Sequence, residues 1–195
     1  GAAEPAPEGR LYAAHWVVRP DGVLSVYRKI HIAPPETDLL AAGHQVPLFE
    51  IEGLRFGIQL CYDAHFPELS AHMAWQGADV IFFPHASPHG TPDAKCRSWT
   101  RHLTARAFDN SVFVVACNQV GDNGAGLTFP GTALVIGPSG DILARDTAGR
   151  EGLLVVDLAA ERLDHVRGHR MRYFFPNRRP DLYRRLLRKQ CEGAS

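Results

Sequence analysis

Short apolar runs separated by turn-forming residues recur along most of the chain. Some alternate apolar and polar positions, whereas Val80–Pro84 and Ser111–Cys117 are almost entirely apolar. Alternation is typical of a strand buried on one face, and a continuous apolar run is typical of a strand buried on both. The predicted strands are Leu11–Val18, Val23–Tyr27, Val46–Ile51, Leu54–Leu60, Val80–Pro84, Ser111–Cys117, Thr132–Ile136, Asp141–Ala144 and Leu153–Leu158.

Two helices are predicted between these strands. The first begins at Pro67, which suits the first position of a helix, and ends at Gly77. The second is capped by Thr91 or Asp93 and runs to about Asp109. Because strands outnumber helices and helices follow individual strands, we expect an α/β layered sandwich rather than an all-β barrel. The apolar stripes of the two helices are Leu69, Met73 and Ala74, and Trp99, Leu103 and Ala107.

The composition changes near Val166. Residues 167–188 are rich in arginine and aromatic side chains, and we expect an extended tail that ends in a short basic helix. The predicted organisation is a domain over residues 1–165 and a C-terminal tail over residues 166–195. The tail is either solvated, or it packs on the domain or a neighbouring subunit. The second interpretation is suggested by apolar side chains that need cover, namely Met171, Tyr173, Phe174 and Phe175.

Composition and charge exclude several classes of protein. The chain has 195 residues, with 21 basic and 21 acidic side chains, so its net charge is zero. A neutral chain is not expected to have nucleic acid or an anionic membrane as its main partner. No apolar run approaches the roughly 18 residues of a transmembrane helix, and the first residues do not resemble a signal peptide.

Cysteine and histidine positions argue against a metal site. The four cysteines lack the paired spacing of a zinc site and do not suggest a disulfide framework, so we expect reduced thiols in a cytoplasmic protein. The ten histidines share no ligand pattern. His85 and His89 are four residues apart, but Pro88 and Gly90 place them in a loop. We therefore expect neither a metal nor a cofactor.

Cys61 is the most informative residue of the sequence. The apolar run from Arg55 ends at Cys61, and the Pro67-Glu68 pair then opens a predicted helix. This order predicts a strand that delivers a thiol into a sharp turn at a helix start. Backbone N–H groups at such a turn favour the thiolate, which is the nucleophilic form of cysteine.

A thiol that attacks a carbon–nitrogen bond needs a base, a group that holds the developing oxyanion, and an acid for the leaving amine. Lys29 lies at the end of a predicted strand, 32 residues before Cys61. Taken alone it is an ordinary surface lysine. A lysine ammonium near the thiol would lower the thiol pKa and hold the oxyanion.

The segments Tyr27-Arg-Lys-Ile-His31 and Cys61-Tyr-Asp-Ala-His-Phe-Pro-Glu68 together resemble the nitrilase superfamily of carbon–nitrogen hydrolases. Weaker matches over residues 77–87, 105–110, 138–140 and 178–183 extend the resemblance from about residue 10 to residue 183. The resemblance implies an αββα four-layer sandwich and a Glu-Lys-Cys mechanism. It implies that Cys61 forms a thioester or thioimidate intermediate, and that Lys29 and the backbone N–H of Tyr62 form the oxyanion hole.

The resemblance also assigns supporting residues. Glu36, seven residues after Lys29, matches a second glutamate that assists catalysis in many members, although a solvated position on its Pro-rich loop is the alternative. Asp63 would shape the turn that carries the thiol. The family's general-base glutamate lies far upstream of the lysine and has no counterpart here. We therefore expect the first strand–helix units of the fold to be missing, and little or no turnover by this chain alone.

The residues after Cys61 distinguish branches of the family. Nitrile-cleaving members usually carry Cys-Trp-Glu, whereas Cys61-Tyr62-Asp63 resembles the amidase branch. Hydrolysis of a small linear amide is the first hypothesis, followed by N-carbamoyl amide hydrolysis and nitrile hydrolysis. A catalytically inactive binding or assembly domain is the alternative from another class. The resemblance and the apolar tail both favour a homodimer or a larger homo-oligomer.

Four further residues are candidates for the substrate pocket. His85 and Ser87 lie in the loop that follows an apolar strand, where the family resemblance places the border of the pocket. Arg97 and Arg101 on the next helix have the charge to pair with a substrate carboxylate. A position on the outer surface of that helix is the preferred interpretation for both arginines.

Overall fold

The computed structural model describes residues 1–22 and 24–192. The strands are β1 Ala2–Pro5, β2 Leu11–Val18, β3 Leu24–Arg28, β4 Phe49–Ile51, β5 Leu54–Ile58, β6 Val80–His85, β7 Phe113–Asn118, β8 Val120–Asp122, β9 Thr128–Pro130, β10 Ala133–Ile136 and β11 Ile142–Asp146. The helices are α1 Pro67–Trp75, α2 Pro92–Asn110, α3 Ala160–Arg167 and α4 Pro180–Glu192. Short 3₁₀ turns cover Pro7–Gly9, Pro34–Glu36, Cys61–His65 and Phe175–Asn177.

A six-stranded sheet with the order β11-β10-β7-β6-β5-β4 forms the centre of the fold. β5, β6 and β7 are parallel neighbours, and the other neighbours in this sheet are antiparallel. Parallel strands need crossover connections, and α1 and α2 provide them. The carboxyl ends of β5, β6 and β7 therefore lie at the same edge of the sheet, where ligands bind in many α/β proteins.

The alternation along β6 divides the core between the two faces of this sheet. Ile81 and Phe83 are fully buried in the larger cluster, which contains the apolar stripes of α1 and α2. Val80 belongs to a second cluster that includes Leu163 of α3. Because successive side chains of a strand point to opposite faces, α3 packs on the face away from α1 and α2.

A glycine in β5 permits the close approach of α1. A Cβ atom on Gly57 would lie 2.5 Å from the sulfur of Met73, which is far inside van der Waals contact. Met73 is fully buried and points from α1 toward β5. Glycine at this position therefore lets the helix that follows Cys61 pack directly on the strand that precedes it.

The three-stranded sheet β1-β2-β3 is antiparallel throughout and ends just before Lys29. The backbone N–H of Lys29 donates to Ala13 (2.9 Å), and its carbonyl accepts from Gly43 (2.8 Å). Both hydrogen bonds of the Lys29 backbone are thus made within the protein. They fix the direction in which β3 delivers the lysine side chain.

The mixed α/β class is confirmed, and α1 and α2 lie where the sequence predicts them. Three strands and a helix are additional to the prediction: β1, β8, β9 and α3. The predicted strand Val46–Ile51 is shorter, since it begins at Phe49. Val23, the predicted first residue of β3, lies outside the described residues.

The predicted strand Leu153–Leu158 is wrong for the described structure. Its apolar residues alternate as in a strand, but Leu153 is 87% exposed and Val155 is 76% exposed. A strand needs a neighbour for its backbone hydrogen bonds. Within residues 1–22 and 24–192, the segment pairs with no named strand.

The segment after α3 packs on the domain through aromatic contacts. The ring of Phe174 lies 5.6 Å from that of Phe108 on α2, and the ring of Phe175 lies 6.0 Å from that of Trp75 on α1. A basic helix, α4, follows as predicted. The proposed division at residues 165 and 166 falls inside α3 and stays a prediction.

Arg167 links the end of α3 by hydrogen bonds to the residues just before β6 and β7. Its guanidinium donates to Asp79 (2.6 Å), to the Ala78 carbonyl (2.8 Å) and to the Ser111 carbonyl (3.2 Å). The helix is therefore held by hydrogen bonds at its end and by Leu163 in its middle.

Across the described part of the chain, no helix has the length and apolar character needed to cross a membrane.

Candidate active site

Cys61 lies at a backbone elbow between β5 and α1. Its φ angle is +48°, in the left-handed region that residues other than glycine seldom occupy. Cys61 is the first residue of the 3₁₀ turn Cys61–His65, and it is partly buried. Such a conformation costs on the order of 1 kcal/mol and persists only where the surroundings hold it.

Asp63 provides that support from a fully buried position. Its Oδ2 accepts from the Tyr27 hydroxyl (2.8 Å) and from the backbone N–H of Leu60 (3.0 Å). Its Oδ1 accepts from the backbone N–H of His31 (2.8 Å) and lies 2.9 Å from Nδ1 of that ring. Burial and the neighbouring Asp63 charge raise the pKa of Tyr27, so its hydroxyl stays a donor. One carboxylate thus joins the elbow to the end of β3.

Lys29 and Glu36 form a close ion pair next to this elbow. Lys29 is 3% exposed, and its ammonium contacts the Glu36 carboxylate. The same carboxylate oxygen accepts from the backbone N–H of Ala33 (3.3 Å). Because the turn Pro34–Glu36 fixes the glutamate, the buried ammonium has both its charge compensated and its position defined.

Burial dominates the electrostatics of the Cys61 thiol. Burial raises the pKa of Cys61, while the Lys29 cation, the backbone N–H of Ala86 and the Lys95 cation lower it, and Glu36 raises it. The expected contribution of Lys29 is present, but it does not outweigh desolvation. The net direction favours the protonated thiol over the thiolate, so a nucleophilic role for Cys61 would call for a base.

The loop after β6 forms a second wall beside the thiol. The backbone N–H of Ala86 acts on the Cys61 thiol and lowers its pKa. Ser87 is clamped by Asn118, whose Oδ1 accepts from the Ser87 N–H (2.9 Å) and whose Nδ2 donates to the Ser87 carbonyl (3.0 Å). Asn118 ends β7, so two adjacent parallel strands together position this loop.

His85 lies at the base of the loop as a neutral imidazole. It is 8% exposed, and its ring stacks on Trp99 at 4.1 Å. Burial, reinforced by the nearby His102 and His65 side chains and by the Lys95 and Lys29 cations, lowers the pKa of His85 to about 3. Its Nε2 is buried and has no hydrogen-bond partner among the described residues. Of the two predicted pocket residues, His85 therefore ends β6, and Ser87 lies in the loop that follows it.

Lys95 was not predicted from the sequence. It lies in the first turn of α2, and its Nζ donates to Ser87 Oγ (2.5 Å) and to the Pro88 carbonyl (2.8 Å). Its charge acts directly on the Cys61 thiol. The sequence contains one signal that could have identified Lys95: it lies in the first turn of the helix that follows the loop, and that turn faces the same edge of the sheet.

Arg97 and Arg101 lie on α2. Both are exposed on α2, which agrees with the preferred surface interpretation. Arg106, which was not predicted, points inward and donates to the Ala64 carbonyl in the elbow (3.2 Å). Tyr62 lies with its ring 5.4 Å from that of Phe66.

The two glutamates near the start of the chain are engaged elsewhere. Glu4 accepts from Arg28 (2.7 Å) and from the Trp16 indole (2.6 Å), so both of its oxygens serve the three-stranded sheet. Glu8 is exposed and pairs with Arg10. Neither arrangement suits a base for Cys61.

Comparison with known proteins identifies a family. The model of the carbon–nitrogen hydrolase family matches residues 1–167. A probable nitrilase of Schizosaccharomyces pombe is 35% identical over 166 residues, which are 83% of this chain and 57% of that protein. The chain thus spans little more than half the length of this relative.

Solved structures agree with this match. A carbon–nitrogen hydrolase from Helicobacter pylori G27 superposes with a TM-score of 0.82 at 29% identity, over 95% of this chain and 68% of that one. An amidase from Nesterenkonia AN1 superposes with a TM-score of 0.73 at 28% identity, over 94% of this chain and 67% of that one. In that amidase structure, acrylamide has added to the active-site cysteine.

Proposed function

The chain belongs to the carbon–nitrogen hydrolase family, and on that premise we propose that Cys61 is the nucleophile for hydrolysis of a small linear amide. One observation carries the proposal: Cys61 lies at a left-handed elbow where the Lys29 cation and the Ala86 N–H both act on its sulfur. Among the cysteines whose surroundings are described, Cys96 is a buried helix residue and Cys117 is exposed at the end of β7.

The chemistry proceeds in two steps. The Cys61 sulfur attacks the amide carbon, and the Lys29 ammonium and the backbone N–H of Tyr62 hold the oxyanion. The proton of the thiol passes, by way of the base glutamate of the family mechanism, to the amide nitrogen, so that the carbon–nitrogen bond breaks and ammonia leaves. Water then attacks the thioester, which releases the carboxylic acid and restores the thiol. Glu36 keeps the Lys29 ammonium charged and in place.

Two lines of support favour an amide over a nitrile. Tyr62 and Asp63 follow the thiol, as in the amidase branch that the sequence resembles. The Nesterenkonia AN1 protein is an amidase, and an (R)-stereoselective amidase of Pseudomonas is 32% identical over 163 residues. The base glutamate of the family mechanism is not among the residues assigned here. Formation of the acyl-enzyme is therefore a more direct test of the proposal than turnover.

The test is stoichiometric acylation by p-nitrophenyl acetate, located by peptide mass spectrometry. We expect one acetyl group on Cys61, its loss in Cys61→Ala and its retention in Cys96→Ala. Cys96 is the matched control because it is a buried cysteine that lies on α2. Preferential acylation of Cys96 or Cys117 would contradict the assignment. An unreactive Cys61 in the folded protein would favour the inactive binding or assembly domain.

Assembly and location stay predictions. A homodimer or larger oligomer is expected from the resemblance and from the exposed apolar side chains, among which Met171 is 75% exposed. Reduced thiols remain the reason to expect a cytoplasmic protein. Analytical ultracentrifugation of the protein measures the first of these properties directly.

A further inference from the structure

Lys95 is a second lysine beside the thiol, and its charge is not compensated. The Lys29 ammonium contacts Glu36, whereas the described residues place no carboxylate within ion-pair distance of Lys95 Nζ. Its two acceptors, Ser87 Oγ and the Pro88 carbonyl, are both neutral. Partial burial of such a cation is unfavourable unless an anion joins it. In line with this, burial lowers the pKa of Lys95.

Hydrogen-bond capacity remains free at the same place. An ammonium has three N–H donors, and Lys95 uses two of them. The Ser87 hydroxyl accepts from Lys95 and donates to no acceptor among the described residues. One N–H and one O–H are therefore available, which matches the two oxygens of a carboxylate.

The position of this pair is fixed with respect to the thiol. Asn118 holds Ser87 through two hydrogen bonds, and the neighbouring Ala86 N–H is close enough to the Cys61 thiol to lower its pKa. Lys95 thus lies on the wall formed by the loop after β6, whereas Lys29 approaches from the end of β3. When a substrate is bound at Cys61, Lys29 can contact its carbonyl oxygen and Lys95 can contact a different group of the same molecule.

We propose that Lys95, with the Ser87 hydroxyl, binds a carboxylate carried by the substrate, so that the preferred substrates are linear amides with an acidic group. This inference rests on the proposed function, since it requires an amide at Cys61. It assigns the anionic end of the substrate to Lys95 rather than to Arg97 or Arg101, which are exposed on the same helix. Lys95 and Ser87 are then specificity-determining residues.

The test measures protection of Cys61 from iodoacetamide by two matched amides, with alkylation located by peptide mass spectrometry. Succinamate and butyramide have the same length and differ in ending with a carboxylate or a methyl group. We expect half-protection by succinamate at about tenfold lower concentration than by butyramide. In Lys95→Met, succinamate should weaken about tenfold while butyramide stays within about twofold.

Three further variants complete the experiment. Lys95→Arg keeps the cation and should retain most of the preference for succinamate. Arg145→Met removes a positive charge from an exposed position on β11 and should change neither amide. Arg97→Met tests the rival arginine, and loss of the succinamate preference in that variant would overturn the assignment to Lys95.

The outcomes separate the inference from the proposed function. If both amides protect wild-type Cys61 equally, or if Lys95→Met weakens both alike, the carboxylate site is wrong and the amidase proposal stands. If neither amide protects Cys61, both proposals fail together. Unchanged protection by butyramide in Lys95→Met shows that the site in that variant is folded.

Discussion

The reactivity of Cys61 depends on a balance between burial and the charges around it. Burial raises the thiol pKa, and three groups lower it: the Lys29 and Lys95 cations and the Ala86 N–H. Asp63 takes no direct part in this balance, but its contacts with Tyr27, His31 and Leu60 hold the elbow in place. A single buried carboxylate thus holds the elbow, while burial and the opposing cations together set how readily the thiol ionises.

Replacing Lys29 tests the electrostatic part of this balance. In Lys29→Ala, the Cys61 pKa should rise, because a cation is lost and the Glu36 carboxylate is left without its partner. Alkylation by iodoacetamide at pH 7.5 should be roughly tenfold slower, with the pH–rate profile displaced to higher pH. Arg19→Ala, at an exposed turn, is the control and should leave the profile unchanged. An unaltered profile in Lys29→Ala would exclude Lys29 as the neighbouring cation.

At the level of elements, α2 carries residues for both the core and the site. Its inner face buries Trp99 and Leu103, while its first turn presents Lys95 to the loop after β6. The Thr91 hydroxyl caps this turn by accepting from the backbone N–H of Ala94 (3.2 Å). The position of the Lys95 side chain therefore depends on a properly formed helix start.

Removing the Thr91 cap should destabilise the start of α2 and, with it, the position of the Lys95 side chain. We expect Thr91→Ala to lower the free energy of unfolding by about 1 kcal/mol. The backbone N–H of Ala94 has no partner within the helix and would lose the Thr91 hydroxyl as its acceptor. Urea unfolding followed by circular dichroism measures the change. Thr91→Ser should restore most of the stability, and Ser98→Ala, at an exposed position on the same helix, should not destabilise the protein. Equal stability of Thr91→Ala and wild type would show that the cap is dispensable.

For the whole molecule, buried neutral histidines make stability depend on pH. Burial lowers the pKa of His85 to about 3 and that of His102 to about 4. An unfolded chain protonates histidine near pH 6.5, so between that pH and about 4 it binds more protons than the folded protein. The free energy of unfolding should therefore fall as the pH falls, by at most about 1.4 kcal/mol per pH unit for each histidine.

Urea unfolding at pH 7.5 and pH 5 measures this loss. His102→Gln should reduce the difference between the two pH values, because the buried Nε2 no longer titrates. His72→Gln, at an exposed position on α1, is the matched control and should keep the full difference. A difference that stays the same in His102→Gln would assign the pH dependence to other groups.

The amino-acid sequence alone predicts the central strands and the two crossover helices, and it singles out Cys61 as the expected nucleophile. Val80–Pro84 and Ser111–Cys117 are apolar enough to predict strands buried on both faces, and Pro67 and Thr91 mark the helix starts. The segments around Lys29 and Cys61 carry a family resemblance that the family match supports. These features are local, since each depends on residues that are close together along the chain.

Which distant side chains meet depends on the packing of the whole chain. The strand prediction for Leu153–Leu158 is wrong for the described structure because a strand also requires a neighbour, which its own pattern does not supply. Lys95 and Asn118 have no distinctive spacing in the sequence, yet both contact the loop after β6. Arg106 reaches the elbow from the other end of α2. The raised pKa of Cys61 likewise depends on burial, a property of the packed molecule rather than of the residues next to the thiol.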